Sequence, residues 1–322
     1  MTDNTTSSNL SEHVCHIFGI PDFLDAWLER FFEPDEYQLI LALGDNSVIP
    51  LESIQPEMFS KFERAYTRGI LNKDADGNFE LADFHTRFEM WALFEGWKDI
   101  PADIQQRLNA WELDYYAAEK FESVKSLTQG CANGERSEYL LLHEAEAFLD
   151  EADHIYLWPC NCRAMMQRCT EPVNVCLRFS NDRGIGWEIS AERAKSITRE
   201  ANRKGLMQLA EYSKCAEYGK CAEYGSMPAG LCNCCSDCCF PHLAAERLNS
   251  QKIWPASRYV AEYHPEQCSG CGKCVRRCPF QAFEMSENEQ SPKAITFLVE
   301  RCRGCGVCAT ECPETAIRMS PL

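Results

Sequence analysis

The sequence predicts an α+β multidomain fold in three parts. These are a helical N-terminal region ending in a hairpin, a cysteine-rich α/β middle, and a C-terminal part with a duplicated βαβ pattern. Three observations carry this. Aromatic residues at helical intervals fill the first third, where Cys15 stands alone. Cysteine then becomes dense. Near the end, one cysteine spacing occurs twice. The expected boundaries are a disordered start at 1–13, a helical domain at 14–125, the cysteine-rich domain at 135–250 and the last domain at 258–322.

The chain has 322 residues, 21 cysteines and a formal charge of −17. No run approaches the ~20 apolar residues of a membrane-spanning helix. The start, MTDNTTSSNLSEH, lacks the apolar stretch of a secretory leader. A soluble, cytoplasmic protein is therefore expected. In that compartment, cysteines two and three residues apart mean metal rather than disulfides. The acidic excess disfavours nucleic acid and anionic membrane, and suits docking onto a basic patch of a protein partner.

In the first region, EYQLILALGD reads as a helix, PLESI as a short one and EMFSKFERAYTRGIL as a longer one. Asp76-Gly77 is a hairpin turn signal. Three helices and a hairpin make the domain winged-helix-like. Residues 35 to 85 hold ten acidic and four basic side chains, the wrong balance for reading phosphates. Docking to another domain or a partner is expected instead. The hairpin also sets Asn72, Asp74, Asp76, Asn78, Glu80 and Asp83 at the positions of a calcium-binding loop, with Asn72 and Asp83 departing from the usual end residues. The wing is the preferred reading. After Pro101, an amphipathic helix leads the chain onward.

The middle opens on HIYLWP, a strand ending at WPCNCRAMMQRCTEPVNVC. Its thiols are Cys160, Cys162, Cys169 and Cys176. Ser190 is a plausible N-cap for a helix over Glu192 to Lys204, with Gly205 at its end. LMQLA is a strand. LCNCCSDCCF follows, with Cys232, Cys234, Cys235, Cys238 and Cys239, and PHLAAERLN is a helix. KCAEYGKCAEYG is a tandem repeat read as a surface loop, and Cys15 and Cys131 are read as ordinary thiols.

The last domain carries Cys268, Cys271, Cys274 and Cys278 in the pattern C-x2-C-x2-C-x3-C-P. Cys302, Cys305, Cys308 and Cys312 repeat it. Three cysteines on one tight loop can supply three corners of a tetrahedron, so a fourth must come from elsewhere. Zinc prefers paired C-x2-C knuckles. Gly270, Gly272, Gly304 and Gly306 allow the tight turns. The segments SRYVAEY, AFEM, AITFLV and AIRMS read as strands.

These two runs resemble the bacterial two-cluster ferredoxin family over roughly Tyr259 to Met319. The resemblance implies a ferredoxin-like (βαβ)2 dicluster fold. It also implies two [4Fe–4S] clusters, in which the fourth cysteine of each run serves the other cluster. One would be held by Cys268, Cys271, Cys274 and Cys312, the other by Cys302, Cys305, Cys308 and Cys278. From about Glu135 to Leu322 the order PCNCR…C…C, NCC…CC, then the ferredoxin pair also resembles a broad group of bacterial and archaeal multi-cluster 4Fe–4S proteins.

The nine middle thiols are accordingly read as holding one or two additional [4Fe–4S] clusters, with zinc or a redox dithiol as alternatives. Cys160, Cys162, Cys169 and Cys176 could close one site and four of the later five another, or ligands could be exchanged between the segments. No nucleotide-binding or nucleophile motif is present. The expectation is an electron-transfer protein, or the electron-transfer subunit of a larger oxidoreductase. Its partner would be a redox protein carrying flavin or metal. The rivals are a redox-sensing regulator that uses the winged-helix-like domain, and an enzyme with a catalytic middle cluster.

Overall fold

A computed structural model describes residues 13–44, 48–74, 76–129, 136–181, 183–212, 228–288 and 291–322. Cys131 and the tandem repeat with Cys215 and Cys221 lie outside these residues. The chain divides into two compact units. One comprises residues 1–112 with 182–185; the other comprises 113–181 with 186–322. The middle and C-terminal parts thus share one unit, and the division falls inside the helix Ala102–Thr128. Among the described residues no helix is long and apolar enough to cross a membrane.

The first unit is organised by helices and one hairpin. Helix α1 (Pro34–Leu43) begins with a capping box: the Glu33 backbone N–H donates to Glu36 at 2.7 Å, and proline sits in the first turn. Helix α2 is Pro56–Thr67, and strands β1 (Leu71–Lys73) and β2 (Phe79–Leu81) pair antiparallel. Ile49 bridges to Phe79 and adds a third short segment. Helix α3 (Phe84–Phe94) is capped by the Asp83 carboxylate, which accepts from the Thr86 N–H at 2.9 Å. Phe31, Phe84, Phe88 and Trp91 form the buried ring cluster. Within it Arg87 is wholly buried. It donates to Glu95 at 2.7 and 2.6 Å and to the Phe31 carbonyl at 2.7 Å.

Three of the calcium-loop residues, Asn72, Asp74 and Asp83, take structural roles. Asp74 accepts from the Asp76 and Asn78 N–H groups, both at 2.9 Å, which is an Asx turn closing the hairpin. Asp83 caps α3, and Asn72 accepts from Arg183.

The second unit is built on a six-stranded sheet, antiparallel throughout, in the order β3-β7-β8-β5-β4-β6. The strands are β3 (Ser137–Leu140), β4 (Tyr156–Pro159), β5 (Asn174–Arg178), β6 (Trp187–Glu188), β7 (Met207–Glu211) and β8 (Gly230–Cys234). Period-two alternation gives the sheet two different faces. Leu140, Leu177, Ala210 and Leu231 form a core with Ala145 and Leu149 of the helix Leu142–Glu151 and Ala194 of the helix Ala191–Arg203. Ser190 caps the latter helix, accepting from Arg193. On the opposite face stand Tyr139, Met207, Leu209, Cys232 and Cys234.

A buried amide ladder holds this register. Asn202 donates to Gln208 at 2.7 Å, Gln208 to Asn233 at 3.0 Å, and Asn233 to the Val175 carbonyl at 2.8 Å. Asn233 lies between Cys232 and Cys234 and faces the other way. A slip of one residue would bury the thiols among the helices and expose the amides.

The C-terminal part has two small antiparallel sheets. Strands β9 (Tyr259–Tyr263) and β12 (Ile317–Pro321) make one; β10 (Phe283–Asn288) and β11 (Ser291–Phe297) make the other. The cysteine loops lie between these strands. Ala261, Phe283, Ile295 and Ile317 bury the loops' Cys274, Cys302 and Cys308 in one core.

Candidate metal centre

Each loop of the C-terminal part turns on glycines with positive φ: Gly270, Gly272, Gly304 and Gly306. At Gly304 (φ +72°) a Cβ would run into the Tyr259 carbonyl, so both the backbone angle and the space demand glycine. The turns bring the cysteines around two cavities. Cys268, Cys271, Cys274 and Cys312 line the first, together with Tyr263 and Pro313. Cys278, Cys302, Cys305 and Cys308 line the second, together with Phe280 and Phe283. In both, three thiols come from one run and the fourth from the other.

The donor set fits an iron–sulfur cluster. Four thiols line each cavity. Backbone N–H groups aim at sulfur: Gly270 donates to Cys268 Sγ at 3.3 Å, and Ala282 to Cys278 Sγ at 3.2 Å. Such bonds favour the charged sulfur. Burial pushes Cys274 up to about 11 and Cys305 up to about 12, so a metal must displace their protons. The first cavity reaches the surface at Cys271, which is exposed. The second is walled by buried Cys302, Cys305 and Cys308.

Residues 267–316 match the family model of the 4Fe-4S dicluster domain. The C-terminal domain is therefore a ferredoxin-type dicluster domain. No curated protein matches the chain.

The nine middle thiols do not follow their order in the sequence. Cys169 lies 3.7 Å from both Cys235 and Cys238, Sγ to Sγ, and the three sulfurs are all within 4.8 Å of one another. Cys176 and Cys232 meet at 3.9 Å, because β5 and β8 are neighbours and Leu177 pairs with Leu231. Cys160 lies next to Cys162 and Cys176, while Cys234 lies next to Cys232 and Cys239. The thiols thus form a six-membered string (Cys162, Cys160, Cys176, Cys232, Cys234 and Cys239) and a separate trio. Each group draws on both cysteine segments.

Two residues other than the cysteines complete the site. Arg163, buried, donates to the Pro172 carbonyl at 2.5 Å and the Asn233 carbonyl at 2.9 Å, so it ties the two cysteine segments together. It also hydrogen-bonds Cys235. Cys235 is drawn down to about 5 by its hydrogen bond from Cys238, with Arg163 adding to the effect. Tyr139, fully buried, sits beside Cys239, Cys305 and Cys234. Burial first, and then those sulfurs, push its hydroxyl well above the usual tyrosine range. The arginine was visible in PCNCR, but its bonds depend on a strand 70 residues away. Tyr139 carries no sequence signal.

In the dicluster domain, Arg277 donates to the Asn202 carbonyl at 2.7 Å and to that of Arg203. It thus caps the C-terminal end of the helix Ala191–Arg203, where a cation is favoured.

Proposed function

We propose that the protein carries single electrons along a path from the exposed edge of the dicluster domain to the thiol string of the sheet. The observation that carries this is one buried group: Cys305, from the wall of the second cavity, packs with Cys234, Cys239, Tyr139 and Val307. Cys268, Cys271, Cys274 and Cys312 would hold one [4Fe–4S] cluster, and Cys278, Cys302, Cys305 and Cys308 the second. Four of the six thiols in the string would hold a third. When bound, such clusters accept and release one electron each.

The chain's own residues set the direction of the path. Cys271 presents the first site to solvent, where a flavin- or metal-containing redox protein would dock. Cys274 and Cys308 share the domain core, which links the first site to the second. Phe280 and Tyr139 exclude water between Cys305 and the sheet, their rings 5.6 Å apart and edge to face. Each cavity has the four thiols that fill a cubane's four iron corners, which favours electron transfer over chemistry on substrate there.

The test is anaerobic purification, metal and sulfide analysis, and a redox titration followed by electron paramagnetic resonance. About twelve iron and twelve sulfide per chain, from three cubanes, are expected. Replacing both Cys234 and Cys239 by serine should remove about a third of that iron and leave the dicluster signals. An unchanged iron content in that variant would overturn the third cluster.

A further inference from the structure

The trio of Cys169, Cys235 and Cys238 closes into a triangle, whereas in the string, where Cys176 and Cys232 also meet at 3.9 Å, no three sulfurs converge. Among the described residues, it is the one group of cysteines whose sulfurs all lie within 4.8 Å of each other. The eight cysteines of the dicluster domain contain no such triangle. Thiolates on a cubane bind different iron corners and stand apart. Thiolates on a single ion share one centre. With a zinc–sulfur bond of about 2.3 Å and tetrahedral angles, two thiolates on one zinc are separated by roughly 3.8 Å. The two measured separations are both 3.7 Å.

We propose that Cys169, Cys235 and Cys238 bind one zinc ion, with a fourth position open to an exchangeable ligand. No further His, Cys, Asp or Glu among the described residues joins the trio, so the described residues supply three ligands. Three thiolates on a divalent ion leave one net negative charge. Buried Arg163, hydrogen-bonded to Cys235, faces that charge. Its bonds to Pro172 and Asn233 fix the loop bearing Cys169 against the strand leading to Cys235. Cys235 and Cys238 are buried and Cys169 is half-buried, so the ion sits at an opening rather than in a closed structural site. The site goes beyond the electron path, which uses none of the three.

The full chain purified anaerobically should hold about one zinc per molecule, as one mononuclear site requires. Cys169→Ser should lose that zinc and keep its iron and sulfide. X-ray absorption at the zinc edge of the unmutated protein should show about three sulfur neighbours and one lighter atom. This measurement does not depend on any variant folding. Cobalt(II) in place of zinc should show visible bands that shift when imidazole is added. Absence of zinc, zinc retained in Cys169→Ser, or iron and sulfide lost in that variant would each overturn the site. Four sulfur neighbours, or cobalt bands indifferent to imidazole, would overturn the open position. Failure of the electron path reads differently, as missing iron in the unmutated protein whatever its zinc content.

Discussion

The first unit and the cysteine-bearing unit fill their cores with different materials. In the first, rings pack on rings: Phe31 and Trp91 lie 4.3 Å apart between centroids, and buried Arg87 reaches from the same core to Glu95 at its edge. Everything that core needs is supplied by side chains. In the second unit, one face of the sheet is an ordinary aliphatic core, but the other is lined by Cys232, Cys234 and Cys239. The dicluster domain is more extreme, since Cys274, Cys302 and Cys308 are part of its core. A thiol is a small and weakly cohesive core residue, and small domains stand on few apolar contacts. The difference teaches that potential metal ligands are part of the packing in one unit, while rings and an arginine fill the described core of the other.

The largest expected effect follows directly. Stripping metal with an oxidant and a chelator should open the dicluster domain and leave the first unit closed. Limited proteolysis of the full chain, read by mass spectrometry, should show new cuts within residues 258–322 while 13–94 stays protected. Simultaneous digestion of both regions would break the comparison.

The two regions also differ in how much of them could be read from sequence. The dicluster ligands follow from spacing, because each loop supplies three thiols within seven residues and the duplication supplies the fourth. The helices and hairpin of the first unit follow from aromatic periodicity, Pro34, Pro56 and Asp76-Gly77. The grouping of the middle thiols does not follow from their order. Cys176 meets Cys232 only because β5 lies beside β8, and Cys169 meets Cys235 and Cys238 only because the loop after Met166 folds over the end of β8. Strand order is a non-local property, and the cysteine count of each segment says nothing about it. The bonds of Arg163 and the place of Tyr139 were hidden for the same reason.

The next effect tests the self-sufficiency of the first core. Arg87→Met removes the guanidinium and leaves Glu95 with only its bond to Arg68, 3.0 Å away. Glu95 is part-exposed and stays solvated, so the cost lies in stripping the Arg87 donors from the Phe31 and Arg68 carbonyls, about 1–3 kcal/mol each and roughly 3 kcal/mol together. Chemical denaturation followed by tryptophan fluorescence should show that loss with the iron content unchanged. A loss below about 1 kcal/mol, the range of a surface pair, would mean the rings alone carry that core.

A somewhat smaller effect is expected from the amide ladder in the second unit. Asn233→Leu strips the Gln208 amide of one of its two acceptors, leaving the Leu206 carbonyl at 3.1 Å, and takes the side-chain donor from the Val175 carbonyl, at a cost of about 2–3 kcal/mol. The same change loosens the register that turns Cys232 and Cys234 to the metal side. Iron per chain should therefore fall together with the denaturation midpoint. Loss of stability with full iron would show that the thiols, once metallated, hold the register by themselves.

The smallest effect belongs to the first unit and depends on pH. His85 Nε2 lies 2.9 Å from Glu112 Oε1. Burial favours the neutral ring, but the Glu112 hydrogen bond and the charges of Glu89, Glu112 and Asp83 outweigh it and raise His85 to about 9. A group raised on folding contributes stability that is fully present below its unfolded value near 6.5 and is lost as pH rises through 9. Between pH 7 and pH 9 the first unit should lose about 2 kcal/mol. His85→Gln keeps a donor for Glu112 and removes the titration, so its stability should be flat over that window. A slope that survives in His85→Gln would place the titrating group elsewhere. A flat profile in the unmutated protein would mean that burial, not Glu112, sets the state of the ring.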